Sequence, residues 1–163
     1  MKVILSPEMV EECRKIGRAR EKNLDSTDRW HKDADITGIM GELAFEKLTG
    51  LTMDRGTKPD NGWDFEVCGL TIDVKTRLQS NHEIRHLSVK MPPVLRVDVY
   101  VLVIVEGNAV DVIGWTPKAS MLMWGAPTEF GDKTFWGMPV TMLWDTKQLV
   151  DKITKLMVME GIE

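Results

Sequence analysis

The sequence predicts an α/β (α+β) fold, a mixed sheet flanked by helices, in one domain over residues 1–163. Three observations predict it. Two stretches with apolar residues at helical spacing open the chain, before residue 50. Apolar, β-branched stretches with turn signals between them fill its middle, from Trp63 to Trp115. A third amphipathic stretch closes it after Asp145. Apolar residues make up 43% and charged residues 28%, which excludes a disordered chain and supplies one sizeable core. No apolar run approaches the ~20 residues of a membrane span, so no membrane partner is expected.

The elements follow in order. Ser6-Pro7-Glu8 is a helix start, with Ser as N-cap, Pro at the first helical position and Glu at the positive end. Met9, Cys13 and Ile16 share one face of that helix. A second helix is expected from Asp35 or Thr37 to Lys47, with Ile36, Ile39, Met40, Leu43 and Ala44 as its apolar stripe and Gly50 as its cap. Gly38 and Gly41 sit inside it. Each costs ~1 kcal/mol relative to Ala, so close packing or a ligand is expected there. Residues 51–62 are loop by composition.

Trp63–Cys68 and Leu70–Lys75 flank Gly69 as a hairpin. Residues 78–96 contain two prolines and little helical periodicity. Val97–Val105 is almost continuously apolar, the mark of a strand buried on both faces. Glu106-Gly107-Asn108 turns it back into Ala109–Trp115. Thr116-Pro117 starts a short helix to about Met123, and residues 124–134 carry the loop signals Gly125, Pro127 and Gly131. Pro139–Trp144 is expected as a last strand, at an edge because of its Pro. Asp145-Thr-Lys-Gln148 opens a terminal helix whose Leu149, Ile153, Leu156 and Met157 face inward.

Charge is uneven along the chain. The formal net charge of −4 excludes binding of nucleic acid by bulk positive charge. Residues 33–73 hold nine acidic and three basic side chains, whereas residues 75–96 hold five basic and one acidic. The swing falls inside Asp64-Phe-Glu-Val-Cys-Gly-Leu-Thr-Ile-Asp73-Val-Lys75. Strand alternation puts Asp73 and Lys75 on one face and Ile72 and Val74 on the other. Asp64 is expected across the hairpin from Asp73. Two close carboxylates repel, and burying them costs more unless a cation compensates. Mg²⁺ favours oxygen ligands, so the two carboxylates and the Val74 backbone carbonyl suit it. Such an ion lowers the pKa of a bound water, and Lys75 could hold that water. Glu42, beside Gly41 on the second helix, could reach the same cluster.

These residues resemble the PD-(D/E)xK nuclease superfamily, and look most like its small phage and prokaryotic members. The resemblance lies in a helix bearing Gly41-Glu-Leu-Ala-Phe45, an Asp opening a hairpin in Asn61-Gly-Trp-Asp64-Phe65, and then Asp73-Val-Lys75-Thr76. It implies a restriction-endonuclease-like αβββαβ core. It implies Asp64 and Asp73 as ligands of Mg²⁺ or Mn²⁺, Glu42 assisting, and Lys75 positioning the attacking water. The implied activity is hydrolysis of phosphodiester bonds, in DNA, by a cytoplasmic enzyme, including one encoded by a virus and acting in its host cell. The literal Pro-Asp of the pattern is Pro59-Asp60, so Asp60 competes with Asp64 for the ligand role. The helix that the core requires after its third strand has no clear counterpart in residues 78–96.

Arg77, Gln79, Arg85 and Lys90 extend the basic region and are candidate nucleic-acid contacts. His82 and His86 are four apart, a zinc spacing on a helix, but no Cys pair stands nearby. With only Cys13 and Cys68 there is no disulfide framework, which fits a reducing compartment. The alternatives are an inactive binding or assembly module of the same fold, and a nuclease for RNA or branched DNA. Few elements are available for holding a duplex, which is compatible with a homodimer.

Overall fold

The computed structural model describes residues 1–22, 32–55, 62–79, 84–90 and 97–161. Its centre is a five-stranded sheet in the order β1-β6-β5-β3-β2, built from Lys2–Ile4 (β1), Phe65–Val67 (β2), Leu70–Leu78 (β3), Val99–Glu106 (β5) and Ala109–Pro117 (β6). Only β3 and β5 run parallel. The other neighbours are antiparallel. A second, antiparallel sheet has the order β4-β8-β7, from His86–Lys90 (β4), Ala126–Phe130 (β7) and Lys133–Pro139 (β8). The helices are Pro7–Lys22 (α1), Lys32–Thr49 (α2), Lys118–Trp124 (α3) and Thr146–Met159 (α4). No helix among the described residues is long and apolar enough to cross a membrane.

Local chemistry explains most of these elements. The Met9 N–H donates to Ser6 Oγ at 3.3 Å, capping α1 where Pro7 begins it. Asp145 caps α4 through the Lys147 N–H at 2.7 Å. Buried Leu149 and Ile153, with Leu156 and Met157 partly buried, form the inward stripe of α4. Helix α2 is buried without a break from Ile39 to Phe45, because α1, the sheet and α4 all pack on it. An amphipathic stripe alone does not account for that.

The five-stranded sheet is covered on both faces. On the helical side Val99, Val101, Val103 and Val105 of β5 join Ile72 and Val74 of β3 and the apolar residues of α1, α2 and α4. On the other side Tyr100 and Leu102 of β5 meet Leu87 and Val89 of β4, Met121 of α3 and Met138 of β8. This is why the continuous apolar run of β5 carries no polar alternation.

Three expectations need correction. Residues 124–134 are not a loop: they hold β7 and the turn into β8, with Gly131 at φ 63°. Pro127 is tolerated because β7 is an edge strand. The last strand ends at Pro139 rather than starting there, and a single 3₁₀ turn, Val140–Met142, follows. Trp144 contributes only an isolated bridge to Trp115. The connection from β3 to β5 holds strand β4, and no helix among its described residues. Strand β1 went unforeseen because three residues are too few to show alternation.

Candidate active site

The site begins with a turn. Cys68 and Gly69 join β2 to β3 with φ of 51° and 75°. Positive φ at both central residues is the type I′ geometry of a two-residue hairpin, and glycine supplies one of them without strain. This turn fixes the register Val67–Leu70, Glu66–Thr71 and Phe65–Ile72. The next step outward sets Asp64 beside Asp73. The Asp64 N–H donates to the Ile72 carbonyl at 2.9 Å, and Asp64 Oδ2 accepts the Val74 N–H at 2.6 Å. A residue's N–H and C=O point to one side of an extended strand. The Val74 carbonyl therefore faces the same edge as Asp64.

Asp73 and Lys75 share a face of β3, as alternation predicts. Lys75 Nζ lies 2.8 Å from Asp73 Oδ1 and 2.6 Å from Oδ2. The Asp73 side chain is 13% exposed and that of Lys75 36%. In register with them on β5 stand Tyr100 and Leu102. Asp73 and Lys75 thus lie on the sheet face away from α2.

Glu42 comes from the other side. It is 8% exposed on α2, among the residues packed on the helical face. Gly41 lets the helix come close: a Cβ there would stand 2.0 Å from Thr76 Oγ1. That hydroxyl is buried without a hydrogen-bond partner. The field of Glu42 reaches Asp64. Burial first, then the charges of Glu42 and Asp73, pushes the Asp64 carboxyl well above the usual carboxylate range, against the lowering effects of the Val74 N–H and Lys75. Asp64 is where influences from both faces of the sheet meet.

Tyr100 is a neighbour that sequence reasoning missed. It is 4% exposed, and burial with the Asp73 charge pushes its phenol up to about 12, while the Val97 N–H pulls the other way. Only the parallel β3–β5 register brings it beside Asp73. That pairing has no local signal.

The other candidates divide. Arg77 is exposed on the Asp73 and Lys75 side of β3. Gln79 is exposed just past β3, its N–H bonded to the Val105 carbonyl at 2.8 Å. Arg85 is exposed just before β4 of the second sheet, and Lys90 is exposed at the end of that strand. His86 lies in β4 rather than a helix, while Asp60 and His82 fall outside the described residues. Asp98 is exposed and holds the far end of β3, accepting the Thr71 N–H at 3.0 Å and its hydroxyl at 2.8 Å.

Among the described residues no three of His, Cys, Asp and Glu gather closely enough to hold a metal ion. Asp64 and Asp73 are the pair that could take one, with the Val74 carbonyl beside them. These hard oxygens fit a magnesium-like cation that keeps several waters, and the repulsion at Asp64 is what such a cation relieves. No protein-family model matches the chain, and a search of curated proteins finds no significant match.

Proposed function

We propose that the chain is a metal-dependent nuclease that hydrolyses phosphodiester bonds in DNA, as an endonuclease. One observation carries this reading: Asp64, Asp73 and Lys75 converge at the open end of one hairpin, and Asp64 is held there against burial and two like charges. Perturbed acids of this kind cluster at functional sites. The resemblance to PD-(D/E)xK nucleases follows the same elements, with Glu42 on α2, Asp64 before β2, and Asp73 and Lys75 on β3. The αβββαβ core is proposed with one departure, strand β4 in the connection where that core has a helix.

Asp64 and Asp73 would hold Mg²⁺ or Mn²⁺, with the Val74 carbonyl as a third oxygen and Glu42 assisting. The ion, when bound, lowers the pKa of a water and offsets charge on a phosphate. Lys75 Nζ lies against the Asp73 carboxylate. From there it orients the attacking water and stabilises the charge that grows on the scissile phosphate. Arg77, on the same side of β3, is placed to meet a neighbouring phosphate.

A second reading is a binding module without activity. What favours it is the closed pairing: both Asp73 oxygens face Lys75, and Asp64 is engaged by the Val74 N–H. One assay decides. The protein is incubated with linear, circular, single-stranded and branched DNA and with RNA, in Mg²⁺, Mn²⁺ or EDTA. Metal-dependent cutting of circular DNA, lost in Asp73→Ala and Lys75→Ala, is expected. Equal cutting by wild type and variants would be contamination and would sink the proposal. Binding without cutting in any condition would establish the second reading.

A further inference from the structure

The second sheet has one face in the smaller core and one face in neither core. Leu87 and Val89 of β4, and Trp136 and Met138 of β8, point into the core shared with β5. Alternation turns His86, Ser88 and Lys90 of β4 the other way, with Lys133, Phe135 and Gly137 of β8 and Thr128 of β7. None of these seven residues belongs to either hydrophobic cluster. Gly137 confirms the placement: a Cβ on it would meet Thr128 Oγ1 at 2.8 Å and His86 Cβ at 3.3 Å. The register sets Lys90, Phe135 and Thr128 in one row across the three strands. Phe135 is thus an aromatic ring on an outer sheet face, in a row with a lysine.

The charge on this face has one sign. Lys90 and Lys133 are exposed on it. The only carboxylate in the three strands, Glu129, alternates to the opposite side, and Asp132 stands in the turn beyond the face. In a chain of net charge −4, a sheet face with one aromatic ring and no carboxylate among its described residues suits a polyanion with a flat apolar part. Bases stack on aromatic side chains, and a cationic groove tracks the backbone. Strand β4 also packs against β3, through the side that carries Leu87 and Val89, so the outer face lies on the far side of the second sheet from Asp73 and Lys75.

We infer that the outer face of the β4-β8-β7 sheet is a platform for single-stranded DNA, with Phe135 stacking on a base and Lys90 and Lys133 meeting phosphates. This rests on the nucleic-acid reading above and adds the form of the substrate: a nucleic acid with an unpaired stretch, held on the side of the second sheet turned away from Asp73 and Lys75.

The test reads binding and not cleavage. Fluorescence anisotropy in EDTA at low salt compares a labelled single-stranded DNA 20-mer, the matching duplex and the matching RNA. Wild type is expected to prefer the DNA single strand. Lys90→Glu with Lys133→Glu is expected to weaken that binding at least tenfold and to flatten its salt dependence by a slope of roughly 1.4, two phosphate contacts' worth. Phe135→Leu is expected to weaken single-strand binding about tenfold and leave duplex binding unchanged. The two exposed lysines carry the test where the Phe135 change disturbs β8, which circular dichroism detects. Unchanged binding in the double lysine variant overturns the inference, as does wild-type preference for duplex or RNA. These failures are separable from failure of the nuclease reading, because cutting by wild type and by Lys75→Ala is measured separately, in Mg²⁺. Loss of cutting assignable to Lys75, with a silent outer face, leaves the nuclease and removes the platform. Single-strand binding that depends on the outer face, with no cutting, does the reverse.

Discussion

The two faces of the central sheet are built on different terms. The helical face is aliphatic: valines of β5 and β6 meet Ile39, Leu43, Phe45 and Ile72, all fully buried or nearly so. The opposite face has a smaller core with a tyrosine and two methionines, and its edge carries Asp73 and Lys75. A polar cluster costs stability wherever it is buried. Here the helical face supplies most of the stabilising burial, and the Asp73–Lys75 pair lies on the other. Stability and chemistry should therefore respond to different substitutions.

The sharpest form of that contrast is Asp73→Ala or Lys75→Ala. Either is expected to lower metal-dependent cleavage by about 10³-fold or more, while the melting temperature moves by only a few degrees, since a partly exposed ion pair contributes ~0–1 kcal/mol. A large fall in melting temperature in these variants would break the contrast. Phe45→Ala tests the other face. Phe45 is fully buried, with its ring 5.1 Å from Phe65, and truncation is expected to cost ~3–5 kcal/mol in chemical denaturation. Retained stability there would mean that the helical face is not the one that holds the fold.

Gly41→Ala sits between the two. Its new methyl would stand 2.0 Å from Thr76 Oγ1, so helix or hydroxyl must shift at ~1–3 kcal/mol. Thr76→Ala in that background should recover part of the loss, because the hydroxyl removed has no partner. A cleavage defect larger than the stability defect would show that the α2–β3 spacing also sets the reach of Glu42.

The smallest effect is of opposite sign. The folded state raises the Asp64 pKa, so it binds a proton more readily than the unfolded chain does. The stability this group contributes is complete below the unfolded carboxylate pKa and is lost as pH rises through the raised value. Metal-free Asp64→Asn should therefore melt slightly higher than wild type at neutral pH, equal it in acid, and lose cleavage. Thermal melts in EDTA across pH check this. A lower melting temperature at neutral pH would mean that the Val74 N–H outweighs the repulsion.

The sequence made legible what local chemistry decides. Ser6-Pro7, Asp145 and the Cys68-Gly69 turn are local, and with them came α1, α4 and the hairpin that sets Asp64 by Asp73. What stayed hidden is set at a distance. Tyr100 meets Asp73 through pairing between strands separated by β4. Strands β7 and β8 were masked by Gly125, Pro127 and Gly131, residues that break structure unless an edge position tolerates them. Glu42 was placed near the cluster from its neighbour Gly41, and the structure brings Gly41 close against Thr76. Its position on the helical face, opposite Asp73 and Lys75, was not foreseen.

Strand β1 sets the order in which the molecule can assemble. Val3 pairs with Val110, and Leu5 donates its N–H to the Asn108 carbonyl at 2.9 Å. Neither partner exists until the long stretch between them, with β2 to β5, has been synthesised. Strand β1 is thus made well before its partner and is fixed late, and β6 keeps an open edge until the two pair. Long-range pairings of this kind slow folding toward the millisecond-to-second range. Refolding should show the β6 edge protected from hydrogen exchange later than the β2–β3 hairpin, whose strands need only a two-residue turn to meet.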